Sequence, residues 1–224
     1  MDVEKNGGPL IIVGDSPIAE IAFEYFSYDS PYEVAGFTVE RAFLSKRSLF
    51  GLPVECFEDI EKKRDPHIFR MFVAVGYADL NGLRTRLYNE SKQKGYSLVS
   101  YVSSHSFVWR NVEIGENCFI FEDNTIQPFV KIGNNVTLWS GNHIGHHSVI
   151  EDNCFISSHV VVSGFCRIGA NSFLGVNSAL SHRTTVARDN VIAMGAVVTK
   201  DTEPEKIYVG NPARPLDKPS RKAL

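Results

Sequence analysis

The chain has 224 residues, enough for one large domain or two modest ones. Apolar residues make up 43% of it and charged residues 22%, the balance of a folded globular protein rather than a disordered one. The net charge of -3 gives no basis for nucleic acid or an anionic membrane as partner. No apolar run approaches membrane-spanning length and no signal peptide opens the chain, so a cytoplasmic location is expected.

The first hundred residues alternate between two periodicities. Pro9 to Gly14 (PLIIVG) is a short buried strand ending in glycine, and Ala19 to Phe26 is apolar at helical spacing. Tyr32 to Val39 (YEVAGFTV) reads as a second strand and Cys56 to Lys63 as a short helix. Phe69 to Gly76 (FRMFVAVG) is a β-prone third strand, again ending in glycine. Asp79 to Lys94 reads as a helix stopped by Gly95, and Ser97 to Val102 as a fourth strand. Strand and helix in alternation predict a small Rossmann-like parallel α/β sheet over residues 1–104.

Ligands of such sheets bind at the carboxyl ends of the strands, where Gly14, Glu40 and Gly76 fall. A glycine before Asp15 and Ser16 lets backbone N–H groups approach a phosphate at the helix N-terminus. Glu40 stands where a carboxylate commonly takes a ribose or base edge. The full GxGxxG pattern is missing, which argues against a tightly held dinucleotide. The same residues also read as turn formers and a solvated acid.

Residues 103–107 are a hinge into a different regime, and the second domain is expected to span 105–224. From Val108 to Val198 an aliphatic residue falls on every sixth position, sixteen in succession. Four residues after each comes mostly a small or β-branched residue, with asparagine at Asn124, Asn142 and Asn190. Period six fits neither an amphipathic helix nor a two-faced strand. It predicts a parallel β-helix of three hexads per coil, aliphatic residues stacking inward on equivalents eighteen residues away. Cys118, Cys154 and Cys166 occupy the small slot, and with Cys56 they show no CxxC spacing. They read as core thiols in a reducing compartment.

This register sorts the histidines. His146 and His182 stand two places after their aliphatic residues, two coils apart on one face, with Gly164 between them. Neighbouring coils are about 4.8 Å apart, so the three form a vertical file. A base beside an unobstructed N–H donor suits acyl transfer. The base takes the proton of an attacking amine or hydroxyl, and the N–H stabilises the oxyanion. The HxxHH cluster of His143, His146 and His147 is also a conceivable zinc ligand set. Its members stand at different offsets and point differently, so no metal is expected. After Val198 the hexads stop; residues 208–215 read as an extended tail and Lys218 to Leu224 as frayed.

Four motifs, GHHSVI (145–150), VSG (162–164), AMGAVV (193–198) and VGNPAR (209–214), make the chain resemble the hexapeptide-repeat acyltransferases. Within them it resembles the sialic acid O-acetyltransferase group, which includes N-acetyltransferases of nucleotide-linked 4-amino-4,6-dideoxy sugars. The resemblance implies a left-handed β-helix, acetyl-CoA as co-substrate, a role in bacterial polysaccharide biosynthesis, and a homotrimer with active sites at subunit interfaces. It assigns His146 as catalytic base and Gly164 as the residue whose N–H faces the thioester carbonyl. His147 stands where some relatives carry a glutamate that orients the histidine ring. Val176, Met194, Gly195 and Ala196 match the wall along the pantetheine arm, and Asn211, Pro212 and Arg214 the segment closing over the CoA end. Gly14, Asp15, Ser16, Glu40 and Gly76 would hold the nucleotide, UDP or dTDP, of the amino sugar. O-acetylation of a sialic acid or related hydroxyl is the alternative activity; a non-catalytic nucleotide-sugar module is a third reading.

Overall fold

The computed structural model describes residues 4–222. The chain forms two compact units, one running to Gly76 and joined by Arg84–Tyr101, the other comprising Tyr77–Leu83 and the chain from Val102 onward.

The first unit is built on a six-stranded sheet: β1 (Gly8–Val13), β2 (Tyr32–Val39), β3 (Ser48–Leu49), β4 (Leu52–Cys56), β5 (Arg70–Val73) and β6 (Ser97–Leu98), in the order β3-β4-β2-β1-β5-β6. All neighbours pair in parallel except the β3–β4 hairpin. Leu10, Ile11, Ile12 and Val13 of central β1 are all buried, which explains their unbroken apolar run. Helix α1 (Pro17–Tyr28) starts with proline in its first turn and buries Ala19, Ala22 and Phe26. Helix α2 is Gly82–Gln93.

Four expectations need correction here. The sheet is mixed, because β3 pairs antiparallel with β4; Pro53 interrupts the strand signal of β4, and the turn between them is carried by Phe50 and Gly51 at positive φ. The helix expected at Cys56–Lys63 is a 3₁₀ helix, Phe57–Lys62. The strand expected over Ser97–Val102 is two short ones, Ser97–Leu98 and Tyr101–Val102. Helix α2 starts at Gly82 rather than Asp79, since Asp79, Leu80 and Asn81 have φ of 52°, 48° and 66°. Leu80 packs on Val191 and Ile207, and Asn81 Nδ2 donates to the Asn171 carbonyl at 3.4 Å. Packing within the second unit overrides helix propensity in this segment.

The second unit is a left-handed parallel β-helix. Two-residue strands pair in parallel with an offset of eighteen, as in Phe119↔Thr137↔Phe155↔Phe173 and Thr125↔His143↔Val161↔Ala179. Ile126, Ile144, Val162, Leu180 and Val198 stack in its interior, and the small-slot cysteines are buried there too. Burial pushes the Cys166 thiol above its ordinary pKa, the mark of a structural rather than a reactive cysteine.

From Ile114 to Ile192 each corner is turned by a left-handed residue three places after the aliphatic one. At one corner these residues are Asn117, Asn135, Asn153, Asn171 and Asp189, residue types that tolerate positive φ. Their side chains form a ladder. Asn117 donates to Asn135 at 2.8 Å, Asn135 to Asn153 at 2.9 Å, Asn153 to Asn171 at 3.1 Å and Asn171 to Asp189 at 2.9 Å. A carboxylate only accepts, so Asp189 sets the direction of every amide below it. Asp189→Ala is expected to destabilise the unit by about 1–3 kcal/mol, by leaving a buried donor unpaired. Asp189→Asn should do less harm, and the midpoint of urea unfolding reads both.

Beyond the hexads, Lys206–Val209 pairs in parallel with Val191–Ile192, and Arg214–Pro219 folds back on it antiparallel. Pro215, Lys218 and Pro219 blunt this exposed edge. The frayed tail expected from Lys218 is ordered through Lys222: a 3₁₀ turn covers Ser220–Lys222, and buried Ser220 donates its N–H to the Glu205 carbonyl at 3.2 Å. Residues 223 and 224 lie outside the described ones. Among the described residues no helix is long and apolar enough to cross a membrane.

Candidate active site

His146 and His147 sit on the turn that follows Ile144. In this β-helix the N–H two places after the aliphatic residue stands outside the inter-coil ladder. At several coils a side chain takes it: Asn134 Oδ1 takes that of Glu116, Asp152 Oδ1 that of Asn134 and Glu151 Oε2 that of Ala170. Gln127 Oε1 accepts the N–H of His146 at 2.9 Å. At Gly164, one coil on, the N–H has no partner among the described residues. The Gly164 turn is braced from inside: Ser148 Oγ donates to the Ser163 carbonyl at 3.0 Å and accepts the N–H of Cys166 at 3.1 Å.

The imidazole of His146 lies over Gly164. A Cβ at position 164 would stand 2.8 Å from Nε2 and 2.9 Å from Cε1. The His182 ring centroid is 6.4 Å from that of His146, so the file expected from the register is present. Nδ1 of His146 faces Nδ1 of His147 at 3.1 Å, and the two rings are nearly perpendicular. His147 is a left-handed corner residue, with φ of 60°. Its ring is stacked between Phe129 and Phe165 at 4.6 and 4.7 Å. The Arg183 guanidinium lies over Phe165, 5.2 Å from the ring centroid. Gly164 is buried and His146 half-buried; a ring nitrogen next to an unengaged N–H is an arrangement able to carry acyl transfer.

Val176 and Met194 stack at a different corner, and Gly195 donates its N–H to the Val176 carbonyl at 2.9 Å. Met194 is 79% exposed, while Ala196 is wholly buried, so only the backbone of Ala196 can line an outer wall. The turn holding Asn211 and Pro212, joined by a cis peptide bond, is fastened to the last coil. Val197 donates to the Gly210 carbonyl at 2.9 Å and Ala213 to the Val197 carbonyl at 2.8 Å. Arg214 folds onto the Ala213 carbonyl at 2.9 Å. Within one chain the His146–Gly164 corner and the Val176–Met194 corner do not meet.

In the first unit, Gly14 closes β1 with φ of 122°, and a Cβ there would lie 2.7 Å from the Ala74 carbonyl oxygen. Only glycine fits this approach of the β1 and β5 ends, next to the strand-order reversal where ligands of such sheets bind. Ser16 caps α1 without a side-chain hydrogen bond. Lys46 Nζ reaches the Asp15 carbonyl at 3.2 Å and its carboxylate at 3.7 Å, placing a cation at this turn. Glu40 is engaged: both its oxygens accept from Arg86 at 2.9 Å. Hydrogen bonding to Glu40, then to Glu90, holds the Arg86 guanidinium even more firmly protonated than usual. Gly76 has open space where a Cβ would go, so nothing steric demands glycine there. Lys46, Arg86, Gln127 and the Phe129–Phe165 clamp were not singled out from the sequence. Gln127, one coil below Gly145, and Phe129 and Phe165, one coil either side of His147, were signalled by the eighteen-residue register; Lys46 and Arg86 were not. Among the described residues no three His, Cys, Asp or Glu side chains are grouped to hold a metal ion.

Residues 111–145 and 129–164 match the bacterial transferase hexapeptide family (six repeats), and residues 166–200 the hexapeptide repeat of succinyl-transferase. Comparison with curated proteins returns no match. Among solved structures the chain is similar to perosamine N-acetyltransferase from Caulobacter crescentus, in a histidine-to-asparagine variant complexed with CoA and GDP-perosamine. That likeness has a TM-score of 0.84 at 22% identity, over 95% of this chain and 98% of that one. It is also similar to the acetyltransferase domain of PglB from Neisseria gonorrhoeae, with a TM-score of 0.81 at 22% identity over 93% and 99% of the two chains. WeeI from Acinetobacter baumannii matches with a TM-score of 0.72 at 22% identity over 92% and 99%. At these identities the likeness establishes a common fold. Residues 111–164 match hexapeptide repeats of the bacterial transferase type and residues 166–200 the succinyl-transferase repeat, and the chain shares the overall fold of these solved acetyltransferases.

Proposed function

We propose that the protein is an acetyl-CoA-dependent N-acetyltransferase whose acceptor is the amino group of a nucleotide-linked 4-amino-4,6-dideoxy sugar. The observation that carries this reading is the His146 ring lying over Gly164, whose N–H is unengaged. The neutral amine attacks the thioester carbonyl directly. Nε2 of His146 accepts the amine proton, the Gly164 N–H meets the oxyanion, and CoA leaves as its thiol once a proton returns to sulfur. The backbone turn Gly14–Asp15–Ser16, with Lys46 beside it, suits a diphosphate. A structural neighbour binds GDP-perosamine, so GDP joins UDP and dTDP as a nucleotide to test. The reaction is placed in the cytoplasm, in bacterial polysaccharide biosynthesis, with no metal, nucleic acid or membrane taking part.

The two corners that do not meet within one chain favour a site shared between copies, with His146 and Gly164 from one subunit. Val176, Met194, Gly195 and the Asn211–Arg214 tail, with the backbone of Ala196, would come from the next. Exposed Phe107, Trp109, Phe129 and Val161 on this unit supply apolar surface for a homotrimer. Co-assembly of His146→Ala chains with Met194→Arg chains is then expected to restore part of the activity that each lacks alone. No restoration would contradict a shared site. For the acceptor, the test is the product from acetyl-CoA and a nucleotide amino sugar. An amide, stable to hydroxylamine, is expected. A hydroxylamine-labile ester, formed also on sialic acid, would instead mark O-acetylation.

A further inference from the structure

We propose that His147 is a positioning residue that fixes the tautomer of His146, acting as hydrogen-bond acceptor in place of a carboxylate. The two Nδ1 atoms are 3.1 Å apart. One hydrogen lies between them, so one Nδ1 donates and the other accepts. Nε2 of His146 lies over Gly164. If Nε2 is to take a proton, it must be bare and the ring hydrogen must sit on Nδ1. The Nδ1 of His147 must then be bare as well, with the hydrogen of that ring on Nε2. The two tautomers are interlocked, and the working pair is Nδ1–H of His146 donating to Nδ1 of His147. As His146 gains its second proton during transfer, the bond to His147 stays in place and the cation keeps an acceptor.

The surroundings of His147 favour such a fixed partner. Its ring is clamped between Phe129 and Phe165, which hinders rotation away from His146. The groups facing the pair are few. Gln127 is on the His146 N–H. His182 stands across Gly164 with its Nε2 3.4 Å from Nε of Arg183, and Arg183 lies beyond Phe165. A proton added to His147 would turn its Nδ1 into a donor, force the His146 hydrogen onto Nε2 and remove the base.

The kinetic part of the test rests on the acetyl-transfer reading; the spectroscopic part does not. In the full-length protein at neutral pH, ¹⁵N spectra of the assigned imidazoles are expected to show protonated Nδ1 on His146 and protonated Nε2 on His147. The inverse assignment overturns the proposal. His147→Phe keeps the stack, and the same corner already accepts phenylalanine at φ of 64° and 59°, at Phe129 and Phe165. It should lower kcat roughly 10–100-fold, as loss of an orienting partner does, with both KM values nearly unchanged. His147→Asp supplies an acceptor-only group at a corner type where Asp123 and Asp189 already sit at positive φ. It should recover kcat to within a few-fold. A His147→Phe protein with undiminished kcat, or two folded variants equally impaired, overturns the proposal. The expected tautomers without turnover of any amino sugar would leave the interlock standing and remove the acetyltransferase reading. Turnover with inverted tautomers would do the reverse.

Discussion

Replacing His146 by asparagine is expected to lower kcat by about 10²–10⁴-fold, the usual contribution of a general base, while acetyl-CoA still binds. Asparagine keeps a polar side chain on the same turn, ending at about the depth of Nδ1, but offers no nitrogen that takes a proton. The Gln127 bond goes to the main chain of His146, so the turn survives the change. The Gly164 N–H, braced through Ser148, is also left in place. The loss should therefore fall on kcat and not on the Kd for acetyl-CoA from calorimetry. A variant turning over at the rate of the unaltered protein would remove His146 from the chemistry. A variant that fails to bind acetyl-CoA would assign the residue to binding.

Gly164→Ala should be nearly as damaging, by a different route. A methyl group at this position would meet the His146 ring at 2.8–2.9 Å, inside van der Waals contact, so the ring must turn away. That displacement breaks the alignment of Nε2 with the adjacent N–H and fills the space above it. A base or donor moved by about an ångström can forfeit roughly 10²-fold, and an oxyanion donor is worth roughly 10²–10³-fold. The backbone at Gly164 does not have positive φ, so alanine suits the main chain and the fold should persist in circular dichroism. A Gly164→Ala protein of full activity would show that the ring can work from another position.

The β-helix was legible because its interior is encoded at one spacing. Each aliphatic residue must stack on one eighteen places away, and the periodicity states this directly. The same register located the His146–Gly164–His182 file. The rest of the chain was less legible wherever distant contacts decide local structure. Leu80 and Asn81 were read as helix, but burial against Val191 and Ile207 and a bond to Asn171 hold them in left-handed conformations. Strand β4 was hidden by Pro53. The tail after Lys218 reads as a fraying terminus, yet Ser220 is buried and tied to Glu205. At the candidate site, residue identity and register were readable and side-chain pairing was not. Glu40 looked available for a ribose until Arg86, forty-six residues later, was seen to hold both its oxygens. Lys46 carried no motif and reaches Asp15 only through the fold. The ring stack follows the eighteen-residue register at 129, 147 and 165, but the Nδ1–Nδ1 contact depends on two rotamers, which no spacing rule expresses.

The most direct measurement is CoA release from acetyl-CoA, with GDP-, UDP- and dTDP-linked 4-amino-4,6-dideoxy sugars offered beside free sialic acid. Rapid turnover with at least one nucleotide amino sugar, and none with sialic acid, is the expected result. Release with sialic acid alone, or with no acceptor in the panel, would contradict N-acetyl transfer to a nucleotide-linked sugar.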